Sequence, residues 1–356
     1  LHFAIIHDYI PNKSIKAAYM IDDQYGYINI EKFGETTYPE MLIALAQLHQ
    51  KQCKGVIVDL RGNTGGYMGA AIQMVNEFLP KGNLIVYTEG RKSPRENYFA
   101  NGTGTSQQLP IVVLMDETSA SASEIFAGAI QDNDRGLIIG RRSFGKGLVQ
   151  QPIEFRDGSA IRLTIARYYT PSGRCIQKPY ANGEDEDYEM DIITRYEHGE
   201  FFSQDSIKQD ESHIFYTSLG RPVYGGGGIM PDYFVPVDTT LFTKYHSQLS
   251  NKGVLLKVHF QLIDAHRDEW MKKYDDYAVF NKDFDLDADM MQQLIEEGEK
   301  EGVKFNEEQY KKSEPLIKLQ LKALIARDLW DMNEYYHTIN VVNESVNKAV
   351  ELLDEE

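Results

Sequence analysis

Apolar residues in roughly the first two thirds of the chain alternate between strand-like and helix-like spacing. Runs such as Gly55–Leu60 and Ile111–Met115 are almost wholly apolar, as buried strands are, whereas Pro39–Gln52 has apolar residues at helical spacing. The predicted strands are Lys16–Ile21, Tyr25–Ile30, Gly55–Leu60, Asn83–Tyr87, Ile111–Met115, Leu137–Gly140, Ala160–Tyr169 and Ile229–Val237, and the predicted helices are Pro39–Gln52, Tyr67–Leu79 and Ser121–Asp132.

This alternation predicts an α/β fold with a largely parallel sheet. In such sheets, active groups collect where the carboxyl ends of strands meet helix N termini. Two loops occupy that kind of position, Arg61–Gly66 and Glu117–Ser121. We therefore expect these two loops to meet in one site.

The rest of the chain has a different character. Residues 178–228 are polar and rich in tyrosine and acidic residues, which predicts a partly irregular surface excursion. From Thr240 onward the chain is charged and helical in pattern, most clearly in Met290–Glu301 and Glu314–Leu329 and more weakly in Ile339–Leu353. We predict a core domain over residues 1–238 and a C-terminal helical domain over 239–356.

The composition of the chain argues against several classes of function. The chain has 356 residues, is 42% hydrophobic and has a net charge of −17, a globular composition whose charge repels nucleic acid. Cys53 and Cys175 are too few for a disulfide framework and flank no metal-ligand spacing, so neither a cofactor nor a metal is expected. Apolar runs are too short to span a bilayer, and the chain contains no signal-peptide pattern. It begins at Leu1 rather than Met, which indicates a fragment or a processed form.

Residues 119–146 carry the candidate chemistry. A Ser-Ala-Ser-Ala-Ser segment opens a predicted helix, and Lys146 follows one predicted strand later. Serine attacks a carbonyl when a neighbouring base takes its proton, and a desolvated lysine can be that base. No histidine lies between Gln50 and Glu197 to take that role locally. Taken singly, the serines are typical helix caps and the lysine is a typical surface residue.

Six short sequence segments occur in a fixed order, and together they are more specific than any one of them. They are Asp59-Leu-Arg-Gly-Asn-Thr-Gly-Gly66, Ser119-Ala-Ser-Ala-Ser-Glu-Ile125, Gln131-Asp132, Phe144-Gly-Lys-Gly147 with Gln150, Ala166-Arg-Tyr-Tyr-Thr-Pro-Ser-Gly173 and Gly228-Ile-Met-Pro-Asp232. Together they resemble the C-terminal processing (tail-specific) peptidases, family S41 of the serine peptidases. The resemblance covers nearly all of residues 1–238 and implies a Clp protease/crotonase-like core.

The resemblance implies roles for particular residues. Ser121 matches the family's nucleophile, Lys146 its general base and Gln150 the glutamine that orients the lysine amine. The oxyanion hole would use the backbone N–H of Ala122 and a second N–H from Gly65 or Gly66.

Asp132 matches an aspartate that is tied to activity in some members of the family. Its position near the end of a predicted helix favours a structural role, because aspartate commonly fixes turns there.

The resemblance also implies a setting. Its substrates would be polypeptides, cleaved in unfolded or C-terminal segments of exported proteins, in the periplasm or cell envelope. Family members usually carry a PDZ domain before the core, and residues 1–13 look like the segment that leaves it. The C-terminal helices could mediate a homodimer, as helical extensions do in related proteases.

Two other readings stay open at this point. One is a catalytically silent peptide-binding scaffold of the same fold, which would usually have lost one of Ser121, Lys146 and Gln150. The other is an acyl-CoA enzyme on the same core, which would need a basic pocket for an adenine nucleotide and would have no use for a Ser–Lys pair.

Overall fold

The computed structural model describes residues 12–179, 185–207 and 211–355. The strands are β1 (Ile15–Met20), β2 (Tyr25–Ile30), β3 (Gly55–Asp59), β4 (Leu84–Gly90), β5 (Ser93–Phe99), β6 (Ile111–Met115), β7 (Leu137–Gly140), β8 (Leu148–Glu154), β9 (Ala160–Tyr169), β10 (Ile214–Tyr216), β11 (Pro222–Tyr224) and β12 (Tyr233–Phe234). The α-helices are α1 (Thr37–Gln50), α2 (Met68–Asn76), α3 (Ala122–Asp132), α4 (Asp185–Glu197), α5 (Lys244–Asn251), α6 (Val254–Lys273), α7 (Tyr277–Asp283), α8 (Ala288–Lys300), α9 (Glu307–Leu329), α10 (Met332–Ile339) and α11 (Glu344–Glu355). Single 3₁₀ turns occupy Gln204–Ser206, Glu211–His213 and Asn340–Val342.

A six-stranded sheet in the order β1-β2-β3-β6-β7-β12 carries the site. Only the β1–β2 hairpin is antiparallel, and the other four neighbouring pairs are parallel. The predicted α/β class with a largely parallel sheet and helical C-terminal region is confirmed. The parallel arrangement brings the ends of β3 and β6 to the same edge, where the loops before α2 and α3 begin.

Burial explains why these elements form. Every residue of β2, β3 and β6 is buried, as expected for strands that are covered on both faces. Helix α1 places Met41, Ala44, Leu45 and Leu48 in the core, and every residue of α3 is buried. A helix that is buried all round sits in the interior of the layer, so the residue that opens α3 is held firmly.

A second sheet, in the order β5-β4-β9-β8, is antiparallel. The sequence pattern missed β5 and β8, because both strands are mostly exposed and polar rather than alternating. Strand β8 begins two residues after Lys146, and β9 pairs with it along its whole length. This sheet therefore positions the chain that follows the lysine.

Two segments differ from the sequence prediction. The expected irregular excursion contains helix α4, in which Tyr188 packs edge-on against Phe144 and Arg195 makes polar contacts. The buried Arg195 donates to the carbonyls of Ser143 and Arg142 at 3.0 and 2.6 Å and pairs with Glu200 at 3.0 Å. The expected strand Ile229–Val237 is reduced to the two residues of β12. The predicted linker over residues 1–13 lies mostly outside the described residues.

The chain divides into two compact units. One contains residues up to 200 together with 205–234, and the other contains 201–204 together with 235–355. Within the described ranges, no helix has both the length and the apolarity that a membrane span requires.

The second unit is helical and has its own aromatic core, which includes Trp270 and Phe280. His259 of α6 is fully buried in this unit, with Nε2 3.0 Å from Oδ2 of Asp328. Burial lowers the pKa of His259 below its ordinary value of 6.5, although the Asp328 carboxylate acts in the opposite direction. His259 is therefore neutral in the folded unit at neutral pH.

This burial predicts an acid-sensitive helical unit. Below the ordinary pKa of 6.5, His259 binds a proton more readily in the unfolded chain than in the folded unit. The free energy of unfolding therefore decreases as the pH is lowered. Both tryptophans of the chain, Trp270 and Trp330, belong to this unit, so urea unfolding can be followed by their fluorescence. We expect the loss of stability between pH 7 and pH 5.5 to be smaller in His259→Gln. Equal losses in the two proteins would assign the acid sensitivity to other groups.

Candidate active site

Three serines surround the start of α3, and the structure separates their roles. The hydroxyl of Ser119 donates to the carbonyl of Leu60 at 2.8 Å, and that of Ser123 donates to the carbonyl of Asn63 at 2.9 Å. Both side chains are fully buried. Ser121 is only half-buried, and its hydroxyl makes no bond to a main-chain carbonyl in the described part of the chain. Of the three hydroxyls, that of Ser121 is the most accessible to a ligand.

The backbone at Ser121 is unusual. Its φ is +58°, one of three positive values found for described residues other than glycine. Because such conformations are costly for a residue with a side chain, they persist where surrounding contacts fix them and are common at active sites. The turn exposes the N–H of Ala122, which has no hydrogen-bond partner among the described residues.

The glycine loop lies directly against this turn. A Cβ added to Gly65 would lie 2.6 Å from the Cβ of Ser121, so only glycine allows the loop to approach this closely. The N–H of Gly65 donates to Oδ1 of Asn63 at 2.8 Å and is thus occupied. Gly66 forms a parallel bridge with Phe33, and its own N–H has no partner within the described ranges. The free donors beside Ser121 are therefore those of Ala122 and Gly66.

Lys146 lies in the irregular segment between β7 and β8. This segment reaches α3 through Glu124, a fully buried carboxylate three residues after Ser121. One carboxylate oxygen, Oε2, accepts the N–H of Ser121 at 2.8 Å and the N–H of Lys146 at 2.9 Å. The two main-chain nitrogens are consequently no farther apart than the sum of these two distances.

The Lys146 side chain is half-buried, and its Nζ has no hydrogen bond or ion pair to any described residue. Nearby, the ammonium of Lys178 lies 4.0 Å from the ring centre of Phe144, and it pairs with Asp191 at 3.0 Å. Burial lowers the pKa of Lys178, while Asp191 acts in the opposite direction. Lys178 is thus tied up by its own partners, which leaves Lys146 as the lysine without one here.

A tyrosine of β9 completes the surroundings of Ser121. The hydroxyl of the buried Tyr168 donates to the carbonyl of Lys146. Burial raises the pKa of Tyr168 well above its ordinary value, and a hydrogen bond from Ser121 acts in the opposite direction.

Two other predicted residues lie farther from the serine. Gln150 is exposed on β8, beside a register shift between Val149 and Gln150, and its amide makes no hydrogen bond to a described residue. Asp132 is at the opposite end of α3 from Ser121, about 16 Å away along the axis at 1.5 Å per residue. There its carboxylate pairs with the buried Arg174 at 2.8 Å and accepts the N–H of Ser172 at 3.1 Å.

Glu124, Asn63 and Tyr168 were not singled out by sequence reasoning. The spacing of Ser121 and Glu124 matches a capping box, a signal that predicts a bond from Glu124 back to the N–H of Ser121. That signal does not predict the bonds from residues 143–146. Burial raises the pKa of the Glu124 carboxyl, while the hydrogen bonds that it accepts act in the opposite direction.

No cluster of three or more histidine, cysteine, aspartate or glutamate side chains suited to a metal occurs in the described ranges. The arrangement instead supplies a hydroxyl, two free N–H donors and an amine, which are the groups needed for acyl transfer.

An α/β unit with a serine at a helix start, between a glycine loop and a lysine-bearing loop, is an arrangement that suits a serine peptidase. Comparison with known families specifies the class further. Residues 24–190, just under half of the chain, match Peptidase family S41. Residues 245–331, in the helical unit, match a family of unknown function, DUF8443.

Several curated proteins are similar to this chain. A carboxyl-terminal-processing protease of Synechocystis is 43% identical over 153 residues, which is 43% of this chain and 35% of that protein. Carboxy-terminal processing protease CtpA of Bacillus subtilis is 38% identical over 192 residues, 53% of this chain and 41% of that protein. The chain thus spans less than half the length of these relatives.

Among solved structures, the photosystem II D1 C-terminal processing protease is 36% identical to this chain. The match covers 43% of this chain and 39% of that one, with a TM-score of 0.41.

Proposed function

We propose that this chain is a serine endopeptidase in which Ser121 is the nucleophile and Lys146 the general base. The observation that carries the proposal is the shared hydrogen bonding at Glu124, where one carboxylate oxygen binds the main chains of both residues. A lysine side chain is long enough to span the resulting gap, and catalytic hydrogen bonds commonly tighten only when substrate is bound.

In the proposed reaction, neutral Lys146 takes the hydroxyl proton of Ser121 as Oγ attacks the peptide carbonyl. The free N–H groups of Ala122 and Gly66 stabilise the oxyanion that forms. The protonated lysine then gives its proton to the leaving amine, and water hydrolyses the acyl-enzyme with the same lysine as base. Gln150 follows Lys146 by four residues and is the proposed partner of its amine during the reaction.

The substrate proposal comes from the relatives, which are named for carboxyl-terminal processing. We propose unfolded or C-terminal segments of exported proteins as substrates and a periplasmic or envelope location. A PDZ domain before the core and a homodimer through the helical unit are part of the same proposal. The supporting observation for this chain is the match of residues 24–190 to Peptidase family S41.

The proposal is tested by cleavage of an unstructured polypeptide with an apolar C terminus, read by mass spectrometry. We expect cleavage by the chain, none by Ser121→Ala, and unchanged cleavage by Ser247→Ala, which alters an exposed hydroxyl on α5. A fluorophosphonate should label the chain at Ser121 only.

The contrary outcome would support the second reading. A folded chain that neither cleaves the polypeptide nor accepts the label, but binds the polypeptide, would be a peptide-binding scaffold. The observation that keeps this reading in the test is the Nζ of Lys146, which has no hydrogen bond or ion pair to any described residue.

A further inference from the structure

Glu124 accepts more hydrogen bonds than a helix cap requires. Besides the N–H groups of Ser121 and Lys146 on Oε2, it accepts the N–H of Gly145 at 2.7 Å and the hydroxyl of Ser143 at 2.5 Å on Oε1. A capping glutamate needs only the first of these four donors. The other three all come from the segment that carries Lys146.

The hydrogen bonds to Glu124 belong to a strong class. A carboxylate that accepts N–H and O–H donors forms charge-assisted hydrogen bonds, roughly twice as strong as neutral ones. Glu124 is fully buried, so no water competes for its oxygens. The segment from Arg141 to Gly147 has no regular secondary structure of its own. Its position relative to α3 therefore depends on such contacts.

A second contact holds the Lys146 segment from the side of β9. The Tyr168 hydroxyl donates to the carbonyl of Lys146. Removing this hydroxyl leaves the aromatic ring in the core, where Tyr168 is only 2% exposed.

We propose that Glu124 is a positioning residue for the reaction, which fixes the Lys146 segment against Ser121, and that Tyr168 supports it. The inference rests on the proposed function, because it concerns the geometry of the Ser121–Lys146 pair. The Glu124 carboxylate contacts the main-chain N–H groups of both residues. A misplacement of about 1 Å at a reacting group can cost roughly 10²-fold in rate.

The test compares Glu124→Gln with Asn133→Ala. The glutamine keeps the shape of the side chain but places an amide donor against donors that the carboxylate accepted. Asn133 caps the far end of α3, where it donates to the carbonyls of Leu84 and Ala129 at 2.9 and 2.8 Å. Its alanine variant weakens the same helix without touching the Lys146 segment.

We expect Glu124→Gln to lower kcat roughly 10²-fold with KM changed by less than about twofold, and to slow fluorophosphonate labelling of Ser121 in parallel. In Asn133→Ala, activity should fall only with the folded fraction. Hydrogen exchange at Gly145 and Lys146 should speed up in Glu124→Gln and stay unchanged in Asn133→Ala. Tyr168→Phe should lower kcat about tenfold, which corresponds to the loss of one hydrogen bond. This variant tests the positioning of the Lys146 segment if Glu124→Gln does not fold.

Different outcomes overturn different statements. If Glu124→Gln and Tyr168→Phe both cleave and label like the unaltered chain, or lose activity only in step with unfolding as Asn133→Ala does, the positioning inference is wrong and the proposed function stands. If the unaltered chain neither cleaves nor labels, the proposed function fails and the inference falls with it.

Discussion

Lys146→Ala is expected to lower kcat for peptide cleavage by about 10⁴-fold or more, because the serine would lose the group that removes its proton. Lys146→Arg is the matched variant: it keeps a long cationic side chain, but arginine stays protonated in proteins and cannot act as a base. Both should be equally inactive. Steady-state kinetics on one defined peptide, at several pH values, would measure the loss.

The double variant Ser121→Ala/Lys146→Ala tests whether the two residues act as one catalytic unit. Residues that act as one catalytic unit lose almost everything with the first substitution, so Ser121→Ala with Lys146→Ala should be no slower than Ser121→Ala alone. Peptide affinity, measured by binding to the single variants, should change little, because neither residue is proposed to hold the substrate's remote side chains. Multiplicative losses would indicate that the two residues act independently.

An active Lys146→Arg variant would assign the base to another residue. The described structure limits the candidates. No histidine lies between Gln50 and Glu197, and His49 is bonded to Ser106 at 3.1 Å. Glu124 contacts the main-chain N–H of Ser121. A retained activity would therefore point to a base delivered by movement of another segment.

Arg174→Met is expected to destabilise the α/β unit by about 3–5 kcal/mol, because it leaves the buried Asp132 carboxylate without its partner. Both side chains of this ion pair are completely inaccessible to solvent, and Arg174 also donates to Oε1 of Gln131 at 2.7 Å. Asp132→Asn should cost a similar amount. The double variant should be more stable than the sum of the two losses predicts, since no uncompensated charge remains.

Urea unfolding followed by far-ultraviolet circular dichroism would measure these losses. Tryptophan fluorescence would report the helical unit separately, because both tryptophans lie in it. The kcat of folded Asp132→Asn should stay near that of the unaltered chain, given the position of Asp132 at the far end of α3. A large loss of kcat without loss of stability would instead give Asp132 a part in the chemistry.

Much of the α/β unit could be predicted from the sequence, because the spacing of apolar residues indicates buried strands and amphipathic helices. The prediction failed for elements that lack this apolar spacing. Strands β5 and β8 are exposed, and α4 is held by the polar contacts of Arg195. The predicted strand Ile229–Val237 pairs only over the two residues of β12, because apolar content indicates burial and not strand pairing.

The sequence by itself determined the types of residue available for chemistry, their order, and the serine at a helix start. Only the tertiary structure decided which of those groups are free. In the fold, the hydroxyls of Ser119 and Ser123 and the N–H of Gly65 are hydrogen-bonded, whereas the N–H groups of Ala122 and Gly66 have no partner among the described residues. The tertiary structure also joined Lys146 to Glu124 across 22 positions of the chain. Such hydrogen bonds depend on where the packed strands bring distant loops, and local spacing carries no record of that placement.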